Sequence, residues 1–258
     1  MDYQNFILEV KQNVAYLQVN RPQVHNAMNA DCWRELIEII KEVDSSPEIR
    51  ALVISGSGSK AFVSGADINF LKDRTSVSAM EGLAQSALDQ LSKLGKPTIA
   101  AVNGLALGAG CELALACDIR IAAEHAKFGL PETGLGILPG AGGTQRLARI
   151  VGQGRAVQMI FTGCMVSAQD ALMWGLVTLV VPGDDLLPAA ADLAARILQK
   201  APLAIRLAKK AITASTNTDM ETGLLLELLS YSALMSSKDK EEGVNAFLEK
   251  RVPQFTGE

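Results

Sequence analysis

The sequence has very little of what common metal and hydrolase sites require. Its 258 residues include only two histidines, His25 and His125, and four cysteines that form no C-x-x-C pair. Ligands scattered in this way do not predict a zinc site. With so few histidines and no G-x-S-x-G motif, a serine–histidine hydrolase has little support. Reduced and mostly buried cysteines are the simpler interpretation.

An excess of positive charge and a nucleotide-binding loop are also absent. The formal net charge is −4 and the charges are evenly spread, which predicts neither nucleic acid nor an anionic membrane as the main partner. There is no G-x-x-x-x-G-K-[ST] motif. Residues 56–61 match G-x-G-x-x-A formally, but Phe62 and Val63 follow at once where a dinucleotide site needs a helix.

Targeting and membrane-spanning segments are not indicated either. The first residues carry no basic region followed by an apolar one, so we expect a cytoplasmic protein without an export signal. Residues 97–117 contain a single charge, Glu112, and approach the ~20 residues of a spanning helix. Pro97, Gly104 and Gly108 divide this run into a strand, a turn and a helix, which argues against a membrane span.

Strand-like and helical patterns alternate to about residue 181, and helical patterns alone follow. This order predicts an α/β core with a helical C-terminal region. Within it we expect one continuous helix over 76–94 and a last strand over 176–181. The leucines within 224–229 give one C-terminal helix an apolar surface, which indicates packing against another subunit or against the same chain.

Glu112 is the first candidate catalytic residue. It lies in NGLALGAGCELALAC at residues 103–117, where every other residue except Asn103 is apolar or glycine. A carboxyl group in such surroundings loses hydration, and its pKa rises toward neutrality. General acid–base catalysis requires a group of this kind. The alternative is a structural glutamate bonded to backbone or to an arginine.

Glu132 and two glycine-rich turns complete the candidate site. Glu132 is the only charge between Lys127 and Arg146, and two isolated carboxyl groups can serve as an acid/base pair. The turn before Ala109 and the turn at residues 64–67 offer backbone N–H groups that could stabilise an oxyanion. The alternatives are an exposed loop glutamate and simple tight packing.

Four segments then carry a family resemblance. They are NRPQVHNAMN at 20–29, AFVSGADI at 61–68, NGLALGAGCEL at 103–113 and FGLPETGLGILPGAGGTQRL at 128–147. Together, in this order, they resemble the enoyl-CoA hydratase (crotonase) family, and the resemblance covers essentially the whole chain.

The resemblance implies a crotonase-like α/β spiral of repeated β-β-α units with a helical C-terminal trimerisation region. On that basis we expect residues 1–195 to form the spiral core with the CoA and catalytic sites. Residues 196–258 are expected to form the helical oligomerisation region. The expected assembly is a homotrimer or a dimer of trimers.

The resemblance also implies roles for particular residues. Backbone N–H groups of Ala66 and Ala109 would form the oxyanion hole around the thioester carbonyl. Glu112 would help to deprotonate the water that attacks C3, and Glu132 would supply the proton to C2. The segment 75–85 and the surroundings of Leu138 are expected to line the acyl end.

The family further implies a set of substrate- and CoA-binding residues. These are Val24, Ala27, Ala66, Asp67, Ile68, Asn69, Phe247 and Lys250. Phe247 and Lys250 would reach the adenine and phosphate end of CoA, typically from a neighbouring subunit. Two positions depart from the family pattern: Ala109 replaces a frequent glycine, and its methyl group is expected to trim the acyl pocket. Asn69 stands where relatives often have a lysine.

Because both glutamates are present, the resemblance implies an enoyl-CoA hydratase, a hydro-lyase of fatty-acid β-oxidation that reversibly converts a 2-enoyl-CoA to a 3-hydroxyacyl-CoA. No metal or redox cofactor is expected, since CoA is part of the substrate. The expected partners are an acyl-CoA thioester and further copies of the chain, with no nucleic acid and no membrane. The alternatives are a Δ3,Δ2-enoyl-CoA isomerase, a hydratase of cyclic or branched enoyl-CoAs, and a non-catalytic acyl-CoA- or RNA-binding member.

Overall fold

The structure is a computed structural model that describes residues 3–258. This part of the chain contains ten β-strands. They are β1 (Phe6–Lys11), β2 (Val14–Val19), β3 (Ala51–Gly56), β4 (Ala61–Val63), β5 (Thr98–Val102), β6 (Leu105–Leu107), β7 (Ile119–Ala123), β8 (Lys127–Gly129), β9 (Val166–Ser167) and β10 (Leu179–Val181).

Twelve α-helices accompany these strands in the described residues. They are α1 (Ala30–Ser45), α2 (Ile68–Lys72), α3 (Ser76–Met80), α4 (Leu83–Lys93), α5 (Ala109–Ala116), α6 (Gly143–Val151), α7 (Gln153–Thr162), α8 (Ala168–Met173), α9 (Leu186–Leu198), α10 (Pro202–Ala214), α11 (Met220–Met235) and α12 (Lys238–Glu249). Short 3₁₀ helices lie at Pro22–Val24, Glu132–Leu135 and Gly183–Asp185.

The strands form two sheets. The large sheet has the order β1-β2-β3-β5-β7-β10, and the small sheet has the order β4-β6-β8-β9. The pairs β1–β2 and β8–β9 are antiparallel, whereas all the other neighbouring strands are parallel. Parallel neighbours need long crossover connections, and helices supply them here. The predicted α/β class is confirmed.

Successive segments of the chain repeat one path. The strands β3, β5 and β7 lie side by side in the large sheet, and the strand after each of them, β4, β6 or β8, lies in the small sheet. Helices follow each pair: α2 to α4 after β4, α5 after β6, and α6 with α7 after β8. This is the β-β-α repetition that the sequence resemblance implied.

The turns between the two sheets are joined by one side chain. Asn103 lies between β5 and β6, and its Oδ1 accepts a hydrogen bond from the Gly56 N–H at 2.9 Å. Its Nδ2 donates to the carbonyl oxygens of Gly56 and Gly58 at 2.9 and 2.7 Å. The segment 56–61 is therefore a turn between two strands rather than the start of a dinucleotide-binding helix.

The core is built by amphipathic helices packed on fully buried strands. Asn29 caps α1, since its Oδ1 accepts from the Cys32 N–H at 2.9 Å. One face of α1 then buries Trp33, Leu36 and Ile40, and all six residues of β3 are buried. Burial of such side chains contributes about 1.5–3 kcal/mol each.

Two predicted elements differ from the structure. The single helix expected over 76–94 is wrong: it is divided into α3 and α4 by Gly82, which adopts a left-handed conformation at φ 60° and ψ 29°. The strand expected over 176–181 begins only at Leu179. The N–H groups of Leu176 and Val177 instead bond to the carbonyl oxygen of Ala171, at 2.8 and 3.2 Å, which completes the end of α8.

Two compact units can be distinguished by their internal contacts. The second comprises Gly95–Pro97 and Leu193–Glu258, and in it α10 packs against α11. The buried Asp239 is the second residue of α12, and its side chain accepts from the N–H groups of Thr256 and Gly257 at 2.7 and 2.9 Å. Four leucines of α11 are more than half exposed (Leu224, Leu225, Leu228, Leu229). Among residues 3–258, no helix combines the length and apolarity needed to span a bilayer. The boundary expected at residue 195 stays a prediction.

Candidate active site

Helix α5 carries Glu112 into the interior on its first turn. The helix begins after Gly108, whose φ of 52° and ψ of −123° suit a residue without a side chain. Gly110 lets α5 lie directly on β4, because a Cβ atom at this position would overlap the carbonyl group of Val63. All residues of α5 are buried, and Glu112 is only 2% exposed.

The carboxylate of Glu112 is held by the backbone of a distant segment. Its Oε1 accepts from the N–H groups of Ala141 and Gly143, at 2.8 and 2.7 Å. Gly143 is the first residue of α6, so the positive end of that helix dipole faces the carboxylate. Burial raises the pKa of Glu112, while the two N–H groups and the guanidinium of Arg146 oppose the rise.

Glu132 reaches the same place from the loop after β8. It begins the 3₁₀ helix Glu132–Leu135 and is half-buried. Its Oε2 is buried and has no hydrogen-bond partner within the described residues, and its Oε1 would lie 3.2 Å from a Cβ atom built on Gly108. Burial raises the pKa of Glu132 to about 7, and the nearby charge of Glu112 adds to the rise.

Two backbone N–H groups are available beside these carboxyl groups. Met28 and Ala66 form an isolated parallel bridge: the Met28 N–H donates to the Gly65 carbonyl oxygen, and the Asp67 N–H donates to the Met28 carbonyl oxygen. The N–H of Ala66, between these two residues, therefore points away from Met28. Ala109 is the first residue of α5, and its N–H has no acceptor inside the helix. Among the described residues, the backbone hydrogen bonds of turns, loops and caps include none donated by the N–H of Ala66 or of Ala109.

One cleft of 1010 Å³ contains both carboxyl groups and both alanines. The structure places nine of the predicted site residues in its lining, which are Val24, Ala27, Ala66, Asp67, Ile68, Asn69, Ala109, Glu112 and Glu132. The regions expected at the acyl end also contribute to it, with Thr75, Ser76, Ala79, Gly82, Ala84, Gln85 and Leu138. The roles assigned to these residues stay predictions.

Two predicted CoA contacts do not line this cleft. Phe247 lies on α12 and is 83% exposed, and Lys250 caps the end of the same helix in a left-handed conformation at φ 57°. Both residues belong to the second compact unit. Their expected role toward CoA stays a prediction.

Sequence reasoning missed two arginines that hold the backbone of the site. Arg21 pairs with Asp67 at 3.3 Å and donates to the carbonyl oxygen of Ala27. Asp67 in turn caps α2 by accepting from the Asn69 N–H at 3.1 Å. Arg146 donates to the loop that binds Glu112. The only signal for either arginine was its position inside one of the motif segments.

Comparison with known proteins agrees with this geometry. A sequence model of the family described as Enoyl-CoA hydratase/isomerase matches residues 9–258. The chain belongs to the enoyl-CoA hydratase/isomerase family. One of its curated relatives is a crotonyl-CoA hydratase of Syntrophomonas wolfei, which is 45% identical over 257 residues, a match that covers 99% of both chains. A short-chain-enoyl-CoA hydratase of Clostridium acetobutylicum is 43% identical over 253 residues and 97% of both chains.

Solved structures of the same family share the fold. The crystal structure of an enoyl-CoA hydratase from Bacillus anthracis superposes with a TM-score of 0.96 at 40% identity, and the match covers 99% of this chain and 100% of that one. An enoyl-CoA hydratase structure from Geobacillus kaustophilus gives the same TM-score at 37% identity over all of both chains. The predicted crotonase-like fold is confirmed.

Proposed function

We propose that this protein is an enoyl-CoA hydratase that reversibly adds water to a short-chain 2-enoyl-CoA and so forms a 3-hydroxyacyl-CoA. One observation supports this above the others. Glu112 and Glu132 line one cleft together with the N–H groups of Ala66 and Ala109. This set contains a base, an acid and an oxyanion site, which are the groups that conjugate addition of water to a thioester requires.

The different surroundings of the two carboxyl groups support different roles for them. Burial dominates at Glu132 and raises its pKa to about 7, so a large fraction holds a proton at neutral pH. At Glu112, two N–H donors and a nearby guanidinium favour the ionised form against burial. Both pKa values are raised, but only the carboxylate of Glu112 has backbone donors and a guanidinium that oppose the rise, and such a difference in surroundings supports a base at Glu112 and an acid at Glu132.

The proposed reaction proceeds by transfer of two protons. The carboxylate of Glu112 takes a proton from water as the water oxygen bonds to C3. The electron pair of the C2–C3 double bond moves to the thioester oxygen, where the N–H groups of Ala66 and Ala109 stabilise the enolate charge. Glu132 then donates its proton to C2. The proton held by Glu112 returns to Glu132 directly or through solvent, and both groups recover their starting states.

No cofactor enters the proposed reaction. Addition of water is not a net redox reaction, so no redox group is required. We propose that no metal is required either, because the two carboxyl groups and the two N–H groups supply acid, base and oxyanion stabilisation. CoA enters and leaves as part of the substrate. The short chain length is proposed from the relatives, because the two hydratases described above are named for crotonyl-CoA and short-chain enoyl-CoA.

We also propose a homo-oligomer, either a trimer or a dimer of trimers. The exposed leucines of α11 (Leu224, Leu225, Leu228, Leu229) support an assembly, since large apolar surfaces of this kind usually mark contacts. In such an assembly, Phe247 and Lys250 of one copy would contact the CoA bound by another. Localisation in the cytoplasm remains part of the same proposal.

Loss of the enoyl-thioester absorbance of crotonyl-CoA tests the proposed activity. We expect the wild type to consume the substrate and to produce 3-hydroxybutyryl-CoA. Glu132→Gln should lower kcat by about 10²–10⁴-fold, because it removes the proton donor. Glu124→Gln is the matched control: the Glu124 side chain is exposed and lies outside the cleft lining, so its rate should equal that of the wild type.

The other outcomes separate the alternatives. An equal rate in Glu132→Gln and wild type would contradict the mechanism. Conversion of a 3-enoyl-CoA to a 2-enoyl-CoA without hydration would identify an isomerase instead. Turnover of cyclic or branched substrates alone would correct the substrate class. A salt-dependent shift in the electrophoretic mobility of RNA, with no turnover of any enoyl-CoA, would favour the non-catalytic alternative.

A further inference from the structure

We infer that Arg146 is a positioning residue for Glu112: it fixes the loop whose N–H groups hold the carboxylate. The inference rests on the proposed function, in which Glu112 acts as the base. It goes beyond that function because Arg146 does not line the cleft. Its effect must therefore pass through other groups.

Arg146 joins the first turn of α6 to the loop before that helix. Its Nη1 donates to the carbonyl oxygen of Ala141 at 2.9 Å. The guanidinium lies across Gly142, where a Cβ atom would overlap Nη1. Gly142 is in the left-handed region at φ 104°, so a side chain there would also be strained. The loop is thus shaped around this guanidinium group.

The same guanidinium reaches a second helix. Its Nη2 lies 3.4 Å from the carbonyl oxygen of Leu88 and 3.5 Å from the Ser92 hydroxyl, both on α4. Arg146 is half-buried, and a planar group with several donors in a fixed arrangement can link separate segments rigidly. The loop is therefore fastened to α4 as well as to α6.

The path from Arg146 to Glu112 passes through the backbone of Ala141. Ala141 accepts from Arg146 with its carbonyl oxygen and donates its N–H to Glu112 Oε1 at 2.8 Å. Gly143 donates the second bond at 2.7 Å. If the Ala141 carbonyl loses its partner, the loop can move, and the two N–H groups that orient the carboxylate move with it.

The charge of Arg146 acts on Glu112 in addition to its hydrogen bonds. The guanidinium lowers the pKa of Glu112 and so opposes the rise that burial causes. The other charged or titratable groups nearby are Glu132 and Cys111 on the side of Glu112, and Asp89 and Cys117 on the side of Arg146. None of these is a second cation facing Glu112.

Kinetics over a range of pH separate positioning from simple structural support. We expect Arg146→Gln to lower kcat for crotonyl-CoA by about 10–100-fold with KM changed less than about twofold, because a small misplacement of the base affects the transition state. The acidic limb of the kcat profile should move to higher pH, since the cation that favours ionised Glu112 is gone. Arg146→Lys keeps the charge but not the planar donors, so kcat should fall while the acidic limb stays near that of the wild type.

The matched control is Arg149→Gln, three residues further along α6. Arg149 is exposed, and its guanidinium donates to the carbonyl oxygen and the side-chain Oε1 of Gln145 in the same helix, so both kcat and the pH profile should equal those of the wild type. If Arg146→Gln only lowers the melting temperature and leaves kcat and the acidic limb unchanged well below it, the inference is wrong.

A titration that does not need turnover separates this inference from the proposed function. Carbon-13 NMR of the glutamate carboxyl groups, with Glu112→Gln to assign the signal, follows the ionisation of Glu112 directly. We expect ionisation at higher pH in Arg146→Gln than in the wild type. That result would support the electrostatic part even if the wild type hydrated no substrate, whereas unchanged titration would overturn it.

Discussion

At the scale of single residues, the carboxyl group of Glu132 combines a catalytic advantage with a cost in stability. Its Oε2 is buried without a partner in the described chain, and its pKa is raised to about 7 from an ordinary value of 4.5. The folded state therefore binds a proton over a pH range in which the unfolded chain has released it. Stability from this group is full below about pH 4.5 and is lost as the pH rises through 7.

The first prediction concerns that loss of stability. Glu132→Gln removes the ionisation, so the variant should be more stable than the wild type at pH 8, with a much smaller difference at pH 5. The shift corresponds to at most about 3 kcal/mol, and solvent screening in an open cleft reduces this to about 1–2 kcal/mol. Urea unfolding at both pH values measures it.

The exposed Glu124 supplies the control for this measurement. Glu124→Gln should change the free energy of unfolding by less than about 0.5 kcal/mol at either pH, as is usual for surface substitutions. If Glu132→Gln were less stable than the wild type at pH 8, its carboxyl group would have a stabilising partner when ionised. The proposed role of Glu132 as a proton donor at neutral pH would then lose its physical basis.

The sequence alone could identify the two carboxyl groups but not what holds them. Glu112 and Glu132 stood out because apolar residues and glycines surround them along the chain. The groups that bind Glu112, Ala141 and Gly143, lie 29 and 31 residues away. Backbone donors carry no residue-type signal, so only folding reveals them. Arg146 was equally hidden, since an arginine on a helix is ordinarily a surface residue.

At the scale of elements, the position of α5 depends on how closely it approaches β4. Gly110 stands at the contact, and a Cβ atom there would lie 2.7 Å from the Val63 Cβ and would overlap the Val63 carbonyl. Both obstacles are fixed, because β4 is a buried strand. Since α5 presents Glu112 and the Ala109 N–H, any shift of this helix also moves the proposed catalytic groups.

The second prediction tests this contact with Gly110→Ala. Alanine favours a helix by about 1 kcal/mol over glycine, but the overlap with backbone costs about 1–3 kcal/mol and forces α5 outward. We expect a net loss of up to about 2 kcal/mol in the free energy of unfolding and a kcat lowered by about 10²-fold. Urea unfolding and crotonyl-CoA turnover measure the two effects.

A glycine in another helix gives the opposite expectation for the same substitution. Gly154 lies near the start of α7, and a Cβ atom there would meet nothing within 4 Å. Gly154→Ala should therefore raise the stability by about 0.4–1 kcal/mol and leave kcat unchanged. Equal effects of the two substitutions would show that the contact of α5 with β4 does not limit the site.

The alternation of strands and helices could be predicted from the sequence, whereas very short strands and the break within a helical pattern could not. The helix α1 has a cap and a sustained apolar face, which are the signals from which a helix can be predicted. The strands β6 and β8 have three residues each, which is too short for a period of two to be recognised. The division between α3 and α4 depends on the left-handed conformation of Gly82, and many glycines in helical patterns have no such role.

At the scale of the whole molecule, α11 has the apolar composition of a core helix without the burial of one. None of its residues is buried, and Leu225, Leu228 and Leu229 are 55–63% exposed. The apolar surface could be predicted from the leucines in the sequence, but the group that covers it could not. In the proposed oligomer, the α11 helices of neighbouring copies cover this surface. A large apolar surface left exposed to solvent would favour aggregation.

The third prediction is that a charge on α11 dissociates the assembly. We expect the wild type to sediment as about 82 kDa or about 164 kDa, three or six chains of 27.4 kDa, and Leu228→Glu to shift the mass toward a single chain. Burial of one leucine contributes about 1.5–3 kcal/mol, a buried charge costs more, and a symmetric assembly repeats both terms in every subunit.

The control is Val10→Glu, which makes the same kind of apolar-to-acidic change at a residue of β1 that is 48% exposed and should leave the mass unaltered. A wild type of 27.4 kDa, or a Leu228→Glu variant of unchanged mass, would mean that these leucines form no subunit contact, and the proposed supply of Phe247 and Lys250 by a neighbouring copy would fail with it.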